Sequence, residues 1–349
     1  LRIALMLDET GVDIIEGGFA KVSEGEFKAL RLMATEGLKA EICSMARANI
    51  ADLDAVVDSG ASSVHLVIPT SKIHLEYKLK KSWNEVLEMT CKCIEYAKNR
   101  GLIVELSAED GSRSDIESLK QFFSTGILTG ADRVCLCDTV GILTPERTYQ
   151  LIAELTSNIN VPFAIHCHDD FGLAVANTLS AIRAGAAQIH VTVNGIGERA
   201  GNAALEETVM GLIHHYNVKL KIKTEKLYEL SKLVSRLTGV TVQPNKAIVG
   251  DNAFTHESGI HTKAILSHPT TYEPVQPELV GIRRRLVIGK HAGSSGVKAL
   301  LEQMNIKPTE EQFNEIFQRV KALGDKGKTV TESDLQAMAE AVMGLPQIR

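Results

Sequence analysis

The sequence predicts an α/β protein: a (β/α)8 TIM barrel with seven legible strands, followed by small, mostly helical subdomains. Three observations carry that prediction. Short apolar runs alternate with helical patterns seven times within roughly the first 220 residues, the rhythm of parallel β-α units. Polar residues stand at the C-terminal end of nearly every run, where a β/α barrel builds its site. The glycine fingerprint of an open dinucleotide-binding sheet is absent. Gly195-Ile-Gly197-Glu-Arg-Ala-Gly201 has its third glycine one residue late and follows the last strand rather than the first.

Leu1–Leu7 reads as part of an amphipathic helix rather than a signal peptide. Because residue 1 is not Met, the eighth strand, first in the barrel, is expected before it. The strands that follow are Val12–Gly17, Ala40–Ala46, Ser63–Ile68, Leu102–Ser107, Arg133–Cys137, Pro162–Cys167 and Gln188–Val193. Between them lie helical stretches Gly25–Ala34, Ala51–Ser59, Trp83–Lys98, Ile116–Thr125, Pro145–Ser157 and Ala174–Ala184, with Pro145 in the first-turn position that tolerates proline. Beyond about residue 220 the rhythm stops. Leu227, Leu230, Leu233, Val234 and Leu237 mark one amphipathic helix, and Phe313, Ile316, Phe317, Val320 and Leu323 another; both stripes are packing surfaces. The stretch from Gln243 to His291, rich in Pro, Gly and His, reads as a functional lid or linker. The domains expected are a barrel over 1–220, a linker subdomain over 221–285 and a helical subdomain over 286–349.

A net charge of -5 argues against a nucleic-acid-binding surface. No apolar run approaches the roughly 18 residues of a membrane span. Six cysteines form no C-x-x-C pair and read as free thiols of a reducing, cytoplasmic compartment.

The chemistry centres on His166-Cys167-His168-Asp169-Asp170, which closes the apolar run Val161–Ile165. Side chains alternate along a strand, so His166 and His168 share a face, as two imidazoles converging on one metal must. The loop Asn194–Asn202 adds amide and carboxylate oxygens, and hard or borderline divalent ions accept such mixed ligands; the bland alternative is an Asn- and Gly-rich turn. Glu109 ends the strand begun at Leu102, where it is a candidate general base or orienting group, or simply a helix N-terminal acid. Asp138-Thr139 invites the same two readings. His256 and His261 form His-Glu-x-x-x-His, one residue too long for the zinc-protease signature. Arg283-Arg284-Arg285 suits a phosphate-rich cofactor or, more commonly, an ion-paired surface.

HCHDDFGLAVANT, NGIGERAGNAALEE, PNKAIVGDNAFTHESGIH, TYEP and GKHAG together resemble the acyl-CoA-condensing metalloenzymes that include 2-isopropylmalate, citramalate and homocitrate synthases. EICSMAR, SVHLVIPTS, ELSAEDGSRSD and VCLCDTVGILTP look most like the archaeal citramalate synthases, and RVKALGDKGKTVTESDL looks equally like 2-isopropylmalate synthase. The resemblance implies a Claisen-type condensation of acetyl-CoA with a 2-oxo acid in branched-chain amino acid biosynthesis. Pyruvate is the first expectation, 2-oxoisovalerate the second, and the homocitrate reaction the third.

It implies a divalent metal (Mg, Mn or Zn) on His166, His168 and Asn202, with Asn194 in the same loop but not the matching ligand. Glu109 would be catalytic and Thr139 would contact substrate, together with Arg47, Leu66 and Ser107 on neighbouring strands. His261 and Tyr272 would be catalytic residues reaching the site of a partner protomer, in a homodimer with exchanged C-terminal subdomains. Bulky Leu66 and Val67 would favour the smaller oxo acid. The family's first-strand motif of the Asp-Thr-Thr-Leu-Arg-Asp-Gly type and its regulatory domain are not in this sequence, which is read as truncation. The non-enzymatic expectation is an inactive barrel serving as scaffold or regulatory subunit.

Overall fold

The computed structural model describes residues 1–256, 261, 264–265, 267–287, 293–326 and 330–344. Seven parallel strands pair strictly in chain order: β1 (Ile14–Glu16), β2 (Glu41–Arg47), β3 (Ser63–Pro69), β4 (Ile103–Glu109), β5 (Arg133–Asp138), β6 (Phe163–Cys167) and β7 (Gln188–His190). Every strand expected from the sequence is present, with ends displaced by a residue or two; β7 alone stops well short, at His190. The helices between them, α2 (Glu24–Thr35), α3 (Ile50–Ser59), α5 (Trp83–Asn99), α6 (Ile116–Thr129), α7 (Pro145–Thr156) and α8 (Ala174–Arg183), also fall where expected, after α1 (Arg2–Thr10). Side-chain caps fix several starts: Ser23, Asn49, Asp115 and Thr144 each accept a backbone N–H of the first turn, and Ser82 forms a capping box with Glu85.

The sheet curls, with its two faces built differently. Val64, Leu66 and Ile68 of β3, Val104, Leu106 and Ala108 of β4, and Phe163, Ile165 and Cys167 of β6 belong to one large core shared with helix residues such as Leu53, Val56, Ile94, Leu119 and Phe122. The alternate positions face inward. His65, Glu105 and Ser107 are buried there, and Cys135, Cys137 and Ala164 form a separate small cluster. Helix packing is close enough to constrain sequence: a Cβ on Gly126 of α6 would lie 2.2 Å from Leu106 Cδ2.

Elements that went unread include three short turns and one helix. A helical turn α4 (Lys72–His74) runs directly into a π-helical turn at Leu75–Leu79. After β7 comes a 3-10 turn at Val193–Gly195, then α9 (Leu205–Tyr216). Leu205, Glu206, Thr208, Val209, Met210, Gly211 and Leu212 are all buried in α9, so that helix has no polar stripe to betray its period.

The chain divides into two compact units, Leu1–Thr224 with Glu229–Thr241, and Glu225–Tyr228 with Val242–Arg349. The predicted stripe on α10 (Leu227–Thr238) is buried at Leu227, Leu230, Leu233 and Val234, while Leu237 is exposed. In the second unit β8 (Thr255–His256) pairs in parallel with β9 (Arg285–Leu286). Helices α11 (Ser294–Gln303), α12 (Glu310–Asp325) and α13 (Glu332–Met343) close over a core of Val297, Leu300, Leu301, Phe313, Ile316, Val320, Val330, Leu335 and Ala339. Among the described residues no helix is long and apolar enough to cross a membrane.

Candidate active site

The end of β6 and the loop after β7 bring His166, His168 and Asn202 together, with Glu109 and Thr139 at the same ends of the neighbouring strands β4 and β5. His166 Nε2 lies 3.3 Å from His168 Nε2 and 3.0 Å from Asn202 Nδ2. Burial holds His166 well below the ordinary imidazole value, reinforced by the neighbouring His190 and His168. Burial lowers His168 as well, with Arg199 adding to it. Both rings are therefore neutral, the form that donates a lone pair to a metal. The Nδ1 atoms of both are buried without a hydrogen-bond partner among the described residues. Turning the Asn202 amide by 180° presents its oxygen to the same point. The donor set thus fits a divalent cation of borderline character.

The loop that delivers Asn202 depends on unusual backbone. Gly201 has φ +97°, and a Cβ there would lie 1.9 Å from the Gly195 carbonyl oxygen. Asn194, at φ 62°, donates its N–H to the Glu206 carboxylate at 2.9 Å and its side-chain amide to the Ser231 carbonyl at 3.0 Å. Asn194 is therefore a loop anchor, separate from the ligand position. Arg199 grips Asp170 with Nε (2.7 Å) and Nη2 (2.8 Å) and also donates to the Thr139 carbonyl at 2.7 Å. One side chain thereby ties the ends of β5, β6 and β7.

Glu109 sits at the end of β4 with Lys78 Nζ 2.5 Å and His74 Nδ1 3.6 Å from its Oε1. Beside it, Asp110 is fully buried, paired with Arg113 at 2.8 Å and with the Ser71 hydroxyl. The Asp110 N–H donates to Thr139 Oγ1 at 2.8 Å, which leaves the Thr139 proton free to be donated. Asp138 is buried and accepts the backbone N–H groups of Ile142 and Leu143, a turn-shaping role.

The other expected substrate contacts divide. Ser107 faces the interior and bonds His65 Nε2 at 2.6 Å. Arg47 spends its Nε and Nη2 on Asp52, at 2.8 and 3.0 Å, and lies over the Phe19 ring. Leu66 stands on the opposite face of β3 from His65, wholly buried in the helix-packed core. The inward positions on that strand are His65 and Val67.

Beneath the mouth lies an ion-paired interior that the sequence reading missed. Glu16 meets His65 Nδ1 at 2.6 Å; Glu105 meets His190 Nε2 at 2.7 Å and Arg133 Nε at 3.2 Å; Arg133 in turn holds Glu41 at 2.6 Å. Burial alone would raise Glu105, but His190, His65 and Arg133 overcome it and hold the carboxyl far below its usual range. Burial alone would lower His65, but Glu16 wins and raises it well above the ordinary value. His190 packs edge-on against both His65 and His166, with centroids 5.0 and 5.5 Å apart. His65, Glu105 and His190 also offer three donor atoms within 4.8 Å of one another. The guanidinium beside Glu105 and the existing pairing make that cluster less suited to a cation than the mouth set. A signal for this network was present: His65, Glu105, Arg133 and His190 interrupt strands that should be apolar throughout if both faces are buried.

In the second unit the His261 and Tyr272 rings stack, with centroids 4.0 Å apart and an interplanar angle of 28°. Neighbouring Glu273 is buried, forked by Arg284 at 2.5 and 2.6 Å and 3.2 Å from His256 Nε2. Arg284 is thus an ion-pairing residue, the commoner of its two readings. Glu257–Ile260 and all but the last glycine of GKHAG lie outside the described residues.

Residues 1–234 match the HMGL-like family model, and residues 248–328 match the homocitrate synthase post-HMGL domain-like model. The chain is 55% identical over 344 residues to (R)-citramalate synthase of Methanocaldococcus jannaschii, covering 99% of this chain and 70% of that protein. It is also 55% identical over 344 residues to a probable 2-isopropylmalate synthase of Methanopyrus kandleri, covering 99% and 69% respectively. Hydroxymethylglutaryl-CoA lyase from Pseudomonas aeruginosa superposes with a TM-score of 0.61 at 21% identity, over 69% of this chain and 86% of that one, a likeness of fold.

Proposed function

Because the chain belongs to the HMGL-like family and, within it, to the acetyl-CoA-condensing synthases, we propose that it joins acetyl-CoA to pyruvate, giving citramalate and free CoA. The observation that carries this reading is the convergence of His166, His168 and Asn202 at one end of the sheet, with Glu109 and Thr139 at the same ends of the neighbouring strands. A Mg, Mn or Zn ion held by those three would act as a Lewis acid on the ketone of a chelating 2-oxo acid.

The chain's own groups do the rest. Glu109 removes a proton from the acetyl methyl group, and the resulting carbanion adds to the ketone carbon. Thr139, whose oxygen already accepts from Asp110, donates a hydrogen bond to the ketone oxygen as it becomes an alkoxide, which then takes its proton from water while Glu109 returns its own to solvent. Ser107 and His65 line the floor beneath. Water then cleaves the thioester and releases CoA. His261 and Tyr272 serve the site of a partner protomer in a homodimer with exchanged C-terminal subdomains, and the enzyme works in branched-chain amino acid synthesis in the cytosol.

Several citramalate synthases at 51–55% identity support pyruvate. The second reading, condensation of 2-oxoisovalerate, is favoured by the equal identity of the Methanopyrus kandleri relative. Free CoA release assayed with each oxo acid decides between them: higher kcat/KM for pyruvate is expected, and a clear preference for 2-oxoisovalerate overturns the first reading.

A further inference from the structure

The segment Lys72–Lys81, which leaves the end of β3, takes part in the reading above only through His74 and Lys78, which flank Glu109. It holds Lys72, Lys78, Lys80 and Lys81 against one acid, Glu76. All four lysines are exposed, and so is Tyr77, at 71%. Lys78 pairs with Glu109 and Lys81 lies 3.8 Å from Glu85, whereas among the described residues Lys72 and Lys80 form no ion pair; the Asp115 carboxyl is lowered chiefly by Ser118, with Lys72 adding to it. The backbone is costly. Leu75–Leu79 is a π-helical turn, a rare form that is frequent at functional sites. Lys80 closes it at φ 54°, in the left-handed region a lysine rarely occupies.

Solvated lysines alone would need neither the strained turn nor an outward-facing aromatic ring. The combination has a defined complement: phosphates for the ammonium groups and a flat base for the tyrosine ring. The Lys78–Glu109 contact places this turn against the proposed proton-abstracting carboxylate, so a ligand held on it reaches the reaction with its other end.

We propose that the Lys72–Lys81 turn binds the phosphorylated adenosine end of acetyl-CoA, with Lys72, Lys80 and Lys81 on the phosphates and Tyr77 against the adenine. This rests on acetyl-CoA being the co-substrate. Removing two exposed charge contacts should weaken binding roughly 10-fold.

The test compares the full chain with Lys72→Ala/Lys80→Asn, Asn being chosen because it tolerates the left-handed position, and with Tyr77→Ser. Each is assayed with acetyl-CoA and with S-acetyl-N-acetylcysteamine, a thioester that lacks the nucleotide. The expected result is a KM for acetyl-CoA raised roughly 10-fold in the double variant, and raised further by salt in the unmodified chain, with kcat/KM for the short thioester unmoved. Equal losses with both thioesters, or an unchanged KM for acetyl-CoA, overturn the proposal. Calorimetric titration with adenosine 3′,5′-bisphosphate separates it from the activity itself. Binding that weakens in the double variant supports the turn even if no condensation is found, and absence of binding to the unmodified chain overturns it.

Discussion

His166 and His168 hold their Nε2 atoms 3.3 Å apart, a separation that also suits two tetrahedral ligands each about 2.0–2.1 Å from one zinc ion. His166→Ala and His168→Ala should each lower divalent-metal affinity at least about 100-fold, the upper range for losing a mere outer-shell partner. Turnover should vanish with it, while circular dichroism and the unfolding midpoint stay near those of the parent. Near-normal metal content or activity in either variant would sink the ligand assignment.

Glu105 is the hub of the buried interior, shared by His190, Arg133 and Gln188. Removing one partner of such a network leaves buried charge uncompensated, so Glu105→Ala should cost about 3–5 kcal/mol in urea unfolding. A loss under about 1 kcal/mol would show that water reaches these groups.

Leu66 and Val67 separate stability from specificity. Leu66 is in the helix-packed core, so Leu66→Ala should destabilise by about 2–5 kcal/mol and leave the choice of oxo acid alone. Val67 faces inward, so Val67→Ala should improve 2-oxoisovalerate relative to pyruvate, by up to about 10-fold in kcat/KM for the space gained. A switch produced by Leu66→Ala and not by Val67→Ala reverses this assignment.

Two pH limbs follow from the paired groups. His65 is raised above its unfolded value near 6.5, so its stabilisation is complete below about pH 6.5 and drains away as pH rises through the higher folded value. Glu273 is lowered: burial opposes this, and Arg284 outweighs it. Its stabilisation is present above the unfolded value near 4.3 and is lost as pH falls through the folded one. Melting temperature should therefore fall on both sides, with His65→Gln flattening the alkaline limb and Glu273→Gln the acid one. Unchanged limbs in these variants would assign the pH dependence to other groups.

Tyr272 and His168 should complement in trans if C-terminal subdomains exchange between protomers. Each single variant, His168→Ala and Tyr272→Phe, should be nearly inactive, and a mixture allowed to exchange subunits should regain measurable CoA release. A mixture as inactive as its components would place Tyr272 in the service of its own chain, or of none.

The alternation of apolar runs with helical stretches made the order of elements legible, because each β-α unit carries its own local period. The mouth was legible for a related reason. His166 lies on β6 and His168 one residue past its end, and Asn202 follows the very next strand, so local spacing already implied convergence. What local pattern cannot show is pairing across strands. The links Glu16–His65 and Glu41–Arg133 join residues 49 and 92 positions apart, and only the register of the sheet brings them together. Leu66 was misplaced by one step for the opposite reason: on a strand buried on both faces, hydrophobicity does not say which face a residue takes.

Charges withdrawn from water in pairs become less expensive as temperature climbs, because the hydration they forgo is itself losing strength. Most barrels fill their inner face with branched aliphatics, whose contribution per unit area levels off on heating. Here Glu16, His65, Glu41, Arg133, Glu105 and His190 occupy that face instead. The inner wall of this sheet is therefore a poorer adhesive than an oily one in the cold and a comparatively better one in the heat.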